Sequence, residues 1–176
     1  MDRLSREEIS AALEALASEL SASPVREEVV VVGGAALVLL YDARASTKDV
    51  DVLVLGTHGS ALVRLAAARV AALRGLPEDW LNDAAKGFLH GLALGEVLLD
   101  TPSLLVRAAA AKQLLAMKLC AWRDDVDIED ARLLLSKVPG SRADTWVTIE
   151  PFLVPGRELT AKYAFDDLWE SEHGTE

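Results

Sequence analysis

The sequence predicts an α+β fold: a small mixed sheet with flanking helices, followed by a helical C-terminal part. Three observations carry that expectation. Val29-Val-Val-Val32 is a β-branched run that reads as a short buried strand, and it runs straight into Gly33-Gly34. Asp49-Val-Asp-Val-Leu-Val-Leu55 sets two carboxylates into an apolar run with the period of a strand. Beyond about residue 110, helical patterns follow one another to the end of the chain.

The elements fall in order along the chain. Ser5-Arg-Glu-Glu8 has the form of a capping box, and the helix it opens runs to about Ser21, with Ile9, Leu13, Leu16 and Leu20 on one face. After the strand at 29–32, Ala35–Tyr41 reads as a helix leaving the Gly-Gly turn. The aspartate-bearing strand ends at Gly56-Thr-His-Gly-Ser60, a loop, and a helix spans about Ala61 to Arg74. Pro77-Glu-Asp-Trp-Leu81 opens a short helical piece. Leu92–Leu99 and Ser103–Ala108 read as strands joined by Asp100-Thr-Pro, a natural turn. Helices are expected at 110–122, 128–137, about 145–153 and, after Pro155-Gly156, about 160–170. The expected organisation is a core at 1–110 and a helical part at 111–176 packed on it as one compact unit.

Bulk composition agrees. A chain of 176 residues suits one main domain with a small helical subdomain. Hydrophobic residues make up 51% and aromatics only 5%, so Leu, Ala and Val carry the packing. The single Cys120 excludes an intramolecular disulfide, and its apolar helical setting points to a buried thiol in a reducing, cytoplasmic compartment. Three scattered histidines and one cysteine offer no zinc site. No secretory signal and no apolar run of membrane-spanning length is visible, so no membrane partner is expected.

The carboxylates of Asp49 and Asp51 would project together from one strand face, where they repel each other and lose hydration. A divalent cation relieves both problems, and few hard oxygen ligands that leave room for phosphate oxygens suit Mg²⁺, or Mn²⁺. Missing side chains at Gly33 and Gly34 let backbone amides approach a phosphate. Arg44 and Thr47, just ahead of the aspartates, are placed to hydrogen-bond a nucleotide or to brace the loop. Simpler readings exist. The aspartates would otherwise mark a strand start paired with Lys48 or Arg44. The Gly-Gly turn would otherwise open a dinucleotide fold, but Gly33-Gly-Ala-Ala-Leu-Val38 lacks the remaining glycines of that fingerprint.

Strand, Gly-Gly turn, helix, then a strand bearing Asp-x-Asp resembles the DNA polymerase beta-type nucleotidyltransferases. The resemblance implies a polymerase beta-like fold, a glycine turn holding the triphosphate of an NTP, and metal ions on Asp49 and Asp51. Gly34 stands where many members carry Ser.

A second motif follows at Lys118-Leu-Cys-Ala-Trp-Arg123-Asp-Asp-Val-Asp127-Ile-Glu-Asp130. It looks like the abortive-infection class of bacterial nucleotidyltransferase toxins, and still more like related short uncharacterised bacterial nucleotidyltransferases. By that resemblance Lys118 and Arg123 serve the triphosphate, and Asp127 or Asp130 is the acidic member of the active site. Asp124-x-x-Asp127 is a competing alignment. On one continuous helix Lys118 and Arg123 would point about 140° apart, so they converge only if the helix ends or bends near Arg123. In that case Asp127 is a natural N-cap with Asp130 at N3, and both are explained without catalysis. Lys118 sits in an apolar helix, where a cation wants a specific anionic partner.

The superfamily often uses a third carboxylate from a later strand; Glu96 and Asp100 are the candidates, each equally suited to pairing or a turn. His58 lies just past the aspartate strand. Trp80, Trp122, Trp146 and Trp169 read as packing anchors, with Trp122 also placed to stack on a base beside Arg123.

Net charge is −10, with a C-terminal acidic stretch at Asp166-Asp-Leu-Trp-Glu-Ser-Glu172. Nucleic-acid affinity rests on phosphate neutralisation, so no DNA partner is expected and an RNA one starts at a disadvantage. Three functions fit. One is a toxin-like transferase that moves a nucleoside monophosphate to a tRNA end or a protein, restrained by a cognate antitoxin. Another is a small-molecule transferase resembling the aminoglycoside nucleotidyltransferases. The third is a non-catalytic nucleotide-binding module.

Overall fold

The computed structural model describes residues 3–41, 43–55 and 59–174, with the backbone alone at 59 and 60. The chain divides into two compact units, the first formed by residues 1–85 and 94–109, the second by 86–93 and 110–176. The second unit thus takes its helices from after residue 109, near the expected boundary at 110, and also claims a short segment ahead of the last two strands.

In the first unit a two-residue strand β1 (Leu4–Ser5) leads into α1 (Arg6–Glu19). The capping box is present: Glu8 N–H donates to Ser5 Oγ at 3.2 Å and Ser5 N–H to Glu8 Oε2 at 2.8 Å. Ile9, Ala12, Leu13, Leu16 and Ala17 form the buried face of α1. Then come β2 (Glu27–Val32), α2 (Gly33–Tyr41), β3 (Ser46–Thr47), β4 (Val50–Leu55) and α3 (Gly59–Arg74). β5 (Leu81–Asn82), β6 (Leu94–Asp100) and β7 (Leu104–Ala109) complete the unit. Five strands form one mixed sheet in the order β5-β4-β2-β7-β6, and β1 pairs with β3 apart from it. β2 is antiparallel to β4 and parallel to β7, and its buried valines fit this central place in the sheet.

One local expectation is corrected here, and two short strands are added. Residues 77–81 form a turn that enters β5, with no helix. The reason is Trp80, which is fully buried and donates its indole N–H to Ala67 O at 3.0 Å. Burying the indole against α3 outweighs the helical start signal at Pro77. The strands β1 and β3 escape sequence reading because two residues carry no periodicity.

The second unit holds α4 (Ala111–Ala121), α5 (Asp125–Leu135), α6 (Arg142–Ile149) and α7 (Glu158–His173). Leu114, Leu115, Leu119, Leu134, Ile149 and Phe165 are buried in it. The segment 86–93 is tied to α4 by the buried Gln113, which donates to His90 O at 3.1 Å and accepts from Ala93 N–H at 2.8 Å. α6 begins earlier than expected because Ser141 and Asp144 form a capping box. Trp146 and Trp169 flank Phe165 at centroid distances of 5.3 and 5.7 Å, so both act as packing anchors. Cys120 is buried and forms no disulfide. Among the described residues no helix is long and apolar enough to cross a membrane.

Candidate nucleotide and metal site

Alternation along β4 builds the first cluster. Val50 and Val52 are buried in the core, which turns Asp49 and Asp51 toward the other side, where both are half-buried. In the antiparallel register Asp51 lies opposite Val32, the last residue of β2, so the chain passes Asp51 as it enters Gly33. A side chain at Gly33 would place Cβ 3.2 Å from Asp51 Oδ2, and its φ of +63° suits glycine. At Gly34 a Cβ would stand 3.0 Å from Thr47 Oγ1 and 3.1 Å from Arg44 Nη1. The structure therefore gathers Gly33, Gly34, Arg44, Thr47 and Asp51 into one small region.

α2 starts at Gly33 itself, where the sequence places a turn followed by a helix at Ala35. The first N–H groups of a helix have no intrahelical partner and carry partial positive charge, so this end suits an anion. Asp49 is drawn in from the far side: Asn82, on β5, donates its amide to Asp49 Oδ2 at 3.1 Å. Ala85 N–H donates to Asp51 Oδ1 at 3.2 Å. Sequence reasoning passed over Asn82. Its signal lies in the pairing of β5 with β4, which two residues cannot announce.

These residues fit a hard divalent cation. The donors are carboxylate oxygens on neighbouring positions of one strand face, each carboxylate is oriented by a neutral N–H, and Gly33 leaves the approach to Asp51 without a side chain. Among the described residues no group of three or more His, Cys, Asp or Glu gathers as a metal cluster. Two carboxylates completed by phosphate oxygens and water remain an ordinary Mg²⁺ arrangement.

The third-carboxylate candidates are elsewhere. Glu96 and Asp100 both lie on β6, the edge strand, three strands from β4, or about 14 Å at the usual strand spacing. Asp100 pairs with Arg26. Glu96 is exposed, and its charge, after burial, helps push the Tyr41 phenol above its ordinary pKa. β7, beside β2, ends in Ala108-Ala109 and offers no carboxylate there. His58 lies outside the described residues.

A second cluster stands in the second unit. α4 ends at Trp122, whose backbone turns left-handed at φ +35°, so the chain bends ahead of Arg123. That bend brings Lys118 and Arg123 to the same carboxylate. Lys118 Nζ meets Asp127 Oδ1 at 2.6 Å and Asp130 Oδ2 at 2.7 Å. Arg123 donates through Nε and its backbone N–H to Asp127 Oδ2 at 3.1 and 3.2 Å. Asp127 and Asp130 are 3% and 5% exposed, Lys118 12%, whereas Arg123 is 64% exposed. Burial alone would raise the Asp127 pKa, but hydrogen bonds from Lys118 and Arg123 and the Lys118 charge override it and hold the carboxyl below its ordinary range.

The capping expectation changes accordingly. Asp124 is the N-cap of α5, accepting from Asp127 N–H at 3.0 Å, and the helix starts at Asp125. Asp127 and Asp130 face the lysine instead. The anionic partner that the buried position of Lys118 demands is therefore this carboxylate pair. The exposed guanidinium of Arg123 lies 5.7 Å from the ring centre of Phe88, and that of Arg157 5.0 Å from the same ring.

Fold and site thus present a Gly-Gly helix start facing an Asp-x-Asp strand. A family model described as "Nucleotidyltransferase of unknown function (DUF6036)" matches residues 10–136, a span that takes in both clusters. The chain belongs to this nucleotidyltransferase family. No curated protein and no solved structure matches it significantly.

Proposed function

We propose that the protein is a metal-dependent nucleotidyltransferase that moves a nucleoside monophosphate from an NTP to an acceptor hydroxyl. The observation that carries this reading is the approach of Gly33 to Asp51: a side-chain-free helix start beside a half-buried carboxylate, with Asp49 two positions along. Backbone N–H groups at Gly33 and Gly34 would donate to phosphate oxygens, and Arg44 and Thr47, against Gly34, would bind the terminal phosphates. Asp49 and Asp51 would hold Mg²⁺ or Mn²⁺, which when bound screens the triphosphate and polarises the α-phosphate. The acceptor oxygen bonds to the α-phosphorus, the bond to the bridging oxygen breaks, pyrophosphate leaves, and the hydroxyl proton passes to solvent. Within the second unit, Asp127 takes two N–H groups of Arg123 while Lys118 offsets the Asp127 charge, which holds the exposed guanidinium of Arg123 in place.

The acceptor is a tRNA end or a protein side chain on the toxin-like reading, which also calls for an antitoxin partner. The net charge of −10 supports a second reading, a cationic small molecule such as an aminoglycoside. The test is incubation with α-³²P-labelled nucleotides and Mg²⁺ against tRNA, cell lysate and an aminoglycoside panel. Label should move to one acceptor class and stay on the nucleotide with Asp51→Asn. Tight nucleotide binding without transfer to any acceptor would instead mark a binding module.

A further inference from the structure

Trp80, Asn82 and Ala85 act on the aspartate pair as one device. Trp80 is fully buried and anchored on α3, and its carbonyl accepts from Val50 N–H at 2.7 Å. That contact fixes the parallel register in which Leu81 faces Val50 and Asn82 faces Asp51. Asn82 then uses both ends of its amide. Nδ2 donates to Asp49 Oδ2 at 3.1 Å and to Asp79 O at 3.2 Å. Oδ1 accepts from Ala84 N–H at 2.8 Å. With an N–H on one side and two oxygen acceptors on the other, only one orientation of the amide satisfies the site. The turn closed by Ala84 presents the next N–H, that of Ala85, to Asp51 Oδ1.

We infer that Asn82 is a positioning residue for both carboxylates, setting Asp49 directly through its side chain and Asp51 through the turn that ends at Ala85. The inference deepens the transferase reading and rests on it for the purpose of the pair. The chemistry suits the task. A neutral donor orients a carboxylate without occupying it as a cation would, so the negative charge stays available to a metal ion. An aspartate at the same place would keep the oxygen that closes the turn, but would set a third charge beside Asp49.

The test compares the full chain with Asn82→Ala and Asn82→Asp by two readouts that need no turnover. One is Mn²⁺ binding, with and without ATP, followed by electron paramagnetic resonance. The other is amide hydrogen exchange at Ala84 and Ala85. Asn82→Ala should weaken Mn²⁺–ATP binding at least tenfold and speed exchange at both amides at least tenfold. Asn82→Asp should keep exchange within threefold of the parent while binding Mn²⁺ alone at least tenfold more tightly. Because it preserves the turn, Asn82→Asp carries the test if Asn82→Ala does not fold. Parental exchange and Mn²⁺ binding in the variants would overturn the inference. If the parent chain binds no Mn²⁺–ATP, the transferase reading falls. The exchange at Ala85 and the Mn²⁺ affinity of Asn82→Asp then still decide whether Asn82 sets the pair.

Discussion

Lys118 and Asp127, nine residues apart, meet at 2.6 Å because the left-handed turn at Trp122 folds the chain back on α4. Asp130 closes the same ammonium group from one helical turn further on. Buried without a partner, Lys118 would be a costly cation whose removal relieves the helix. With its partners in place the sign reverses, since Lys118→Ala leaves two buried carboxylates facing each other. The loss expected from breaking a buried pair is about 3–5 kcal/mol. Urea denaturation measures it, and an unchanged midpoint would show that the pair contributes nothing.

Asp124 and Asp127 separate capping from pairing. Asn caps about as well as Asp, so Asp124→Asn should change stability by less than about 0.5 kcal/mol, and Asp124→Ala should cost about 1 kcal/mol. Asp127→Asn leaves Lys118 paired with Asp130 alone and removes the charge that two Arg123 N–H groups bind, so it should cost more than either, about 2 kcal/mol. The ranking reverses if Asp127 were the cap.

The depressed pKa of Asp127 makes a pH prediction. A carboxyl whose folded pKa lies below its unfolded value stabilises fully above the ordinary range near pH 4, and that contribution is lost as pH falls through the folded value. Asp166 behaves in the same way: burial works against it, but hydrogen bonds from Lys162 and Arg142 lower its pKa. Stability should be flat from about pH 7 to 5 and fall below about pH 4. Tryptophan fluorescence follows the transition, and Asp166→Asn should show the shallower slope.

What the sequence made legible follows from periodicity and capping chemistry. The Val29–Val32 strand, the Asp-x-Asp strand and the capped α1 all show strong local signals, and the structure places all three. The bend that joins Lys118 to Arg123 falls where the expected helix 110–122 ends, but its left-handed form at Trp122 was not legible, because a left-handed tryptophan breaks the usual preference for glycine. Asn82 was illegible for another reason. Its role arises from a register between two strands distant in sequence, and β5 is too short to show a pattern. The same holds for Asp124, whose capping role depends on where α5 begins.

Gly33 and Gly34 should respond differently to alanine. Gly33→Ala meets both a left-handed backbone and Asp51 Oδ2 at 3.2 Å, so it should destabilise by at least about 1 kcal/mol and weaken nucleotide binding. Gly34→Ala has no such backbone conflict, but its Cβ would press on Thr47 and Arg44. It should leave folding nearly intact while reducing affinity for triphosphate more than for monophosphate. Equal losses on the two nucleotides would remove Arg44 and Thr47 from the terminal phosphates.

The most direct measurement for the aspartate site is the melting temperature of the full chain with Mn²⁺ and an NTP, compared with Asp51→Asn. Ligand at about 100 times its dissociation constant adds about 2.7 kcal/mol, which for a chain of this size is a rise of roughly 5–10 °C. The rise should require metal and nucleotide together, and Asp51→Asn should abolish it without lowering the melting temperature of the unliganded chain. No rise at millimolar nucleotide and metal, or an equal rise in Asp51→Asn, would contradict the assignment of the Asp49–Asp51 face as the site of nucleotide transfer.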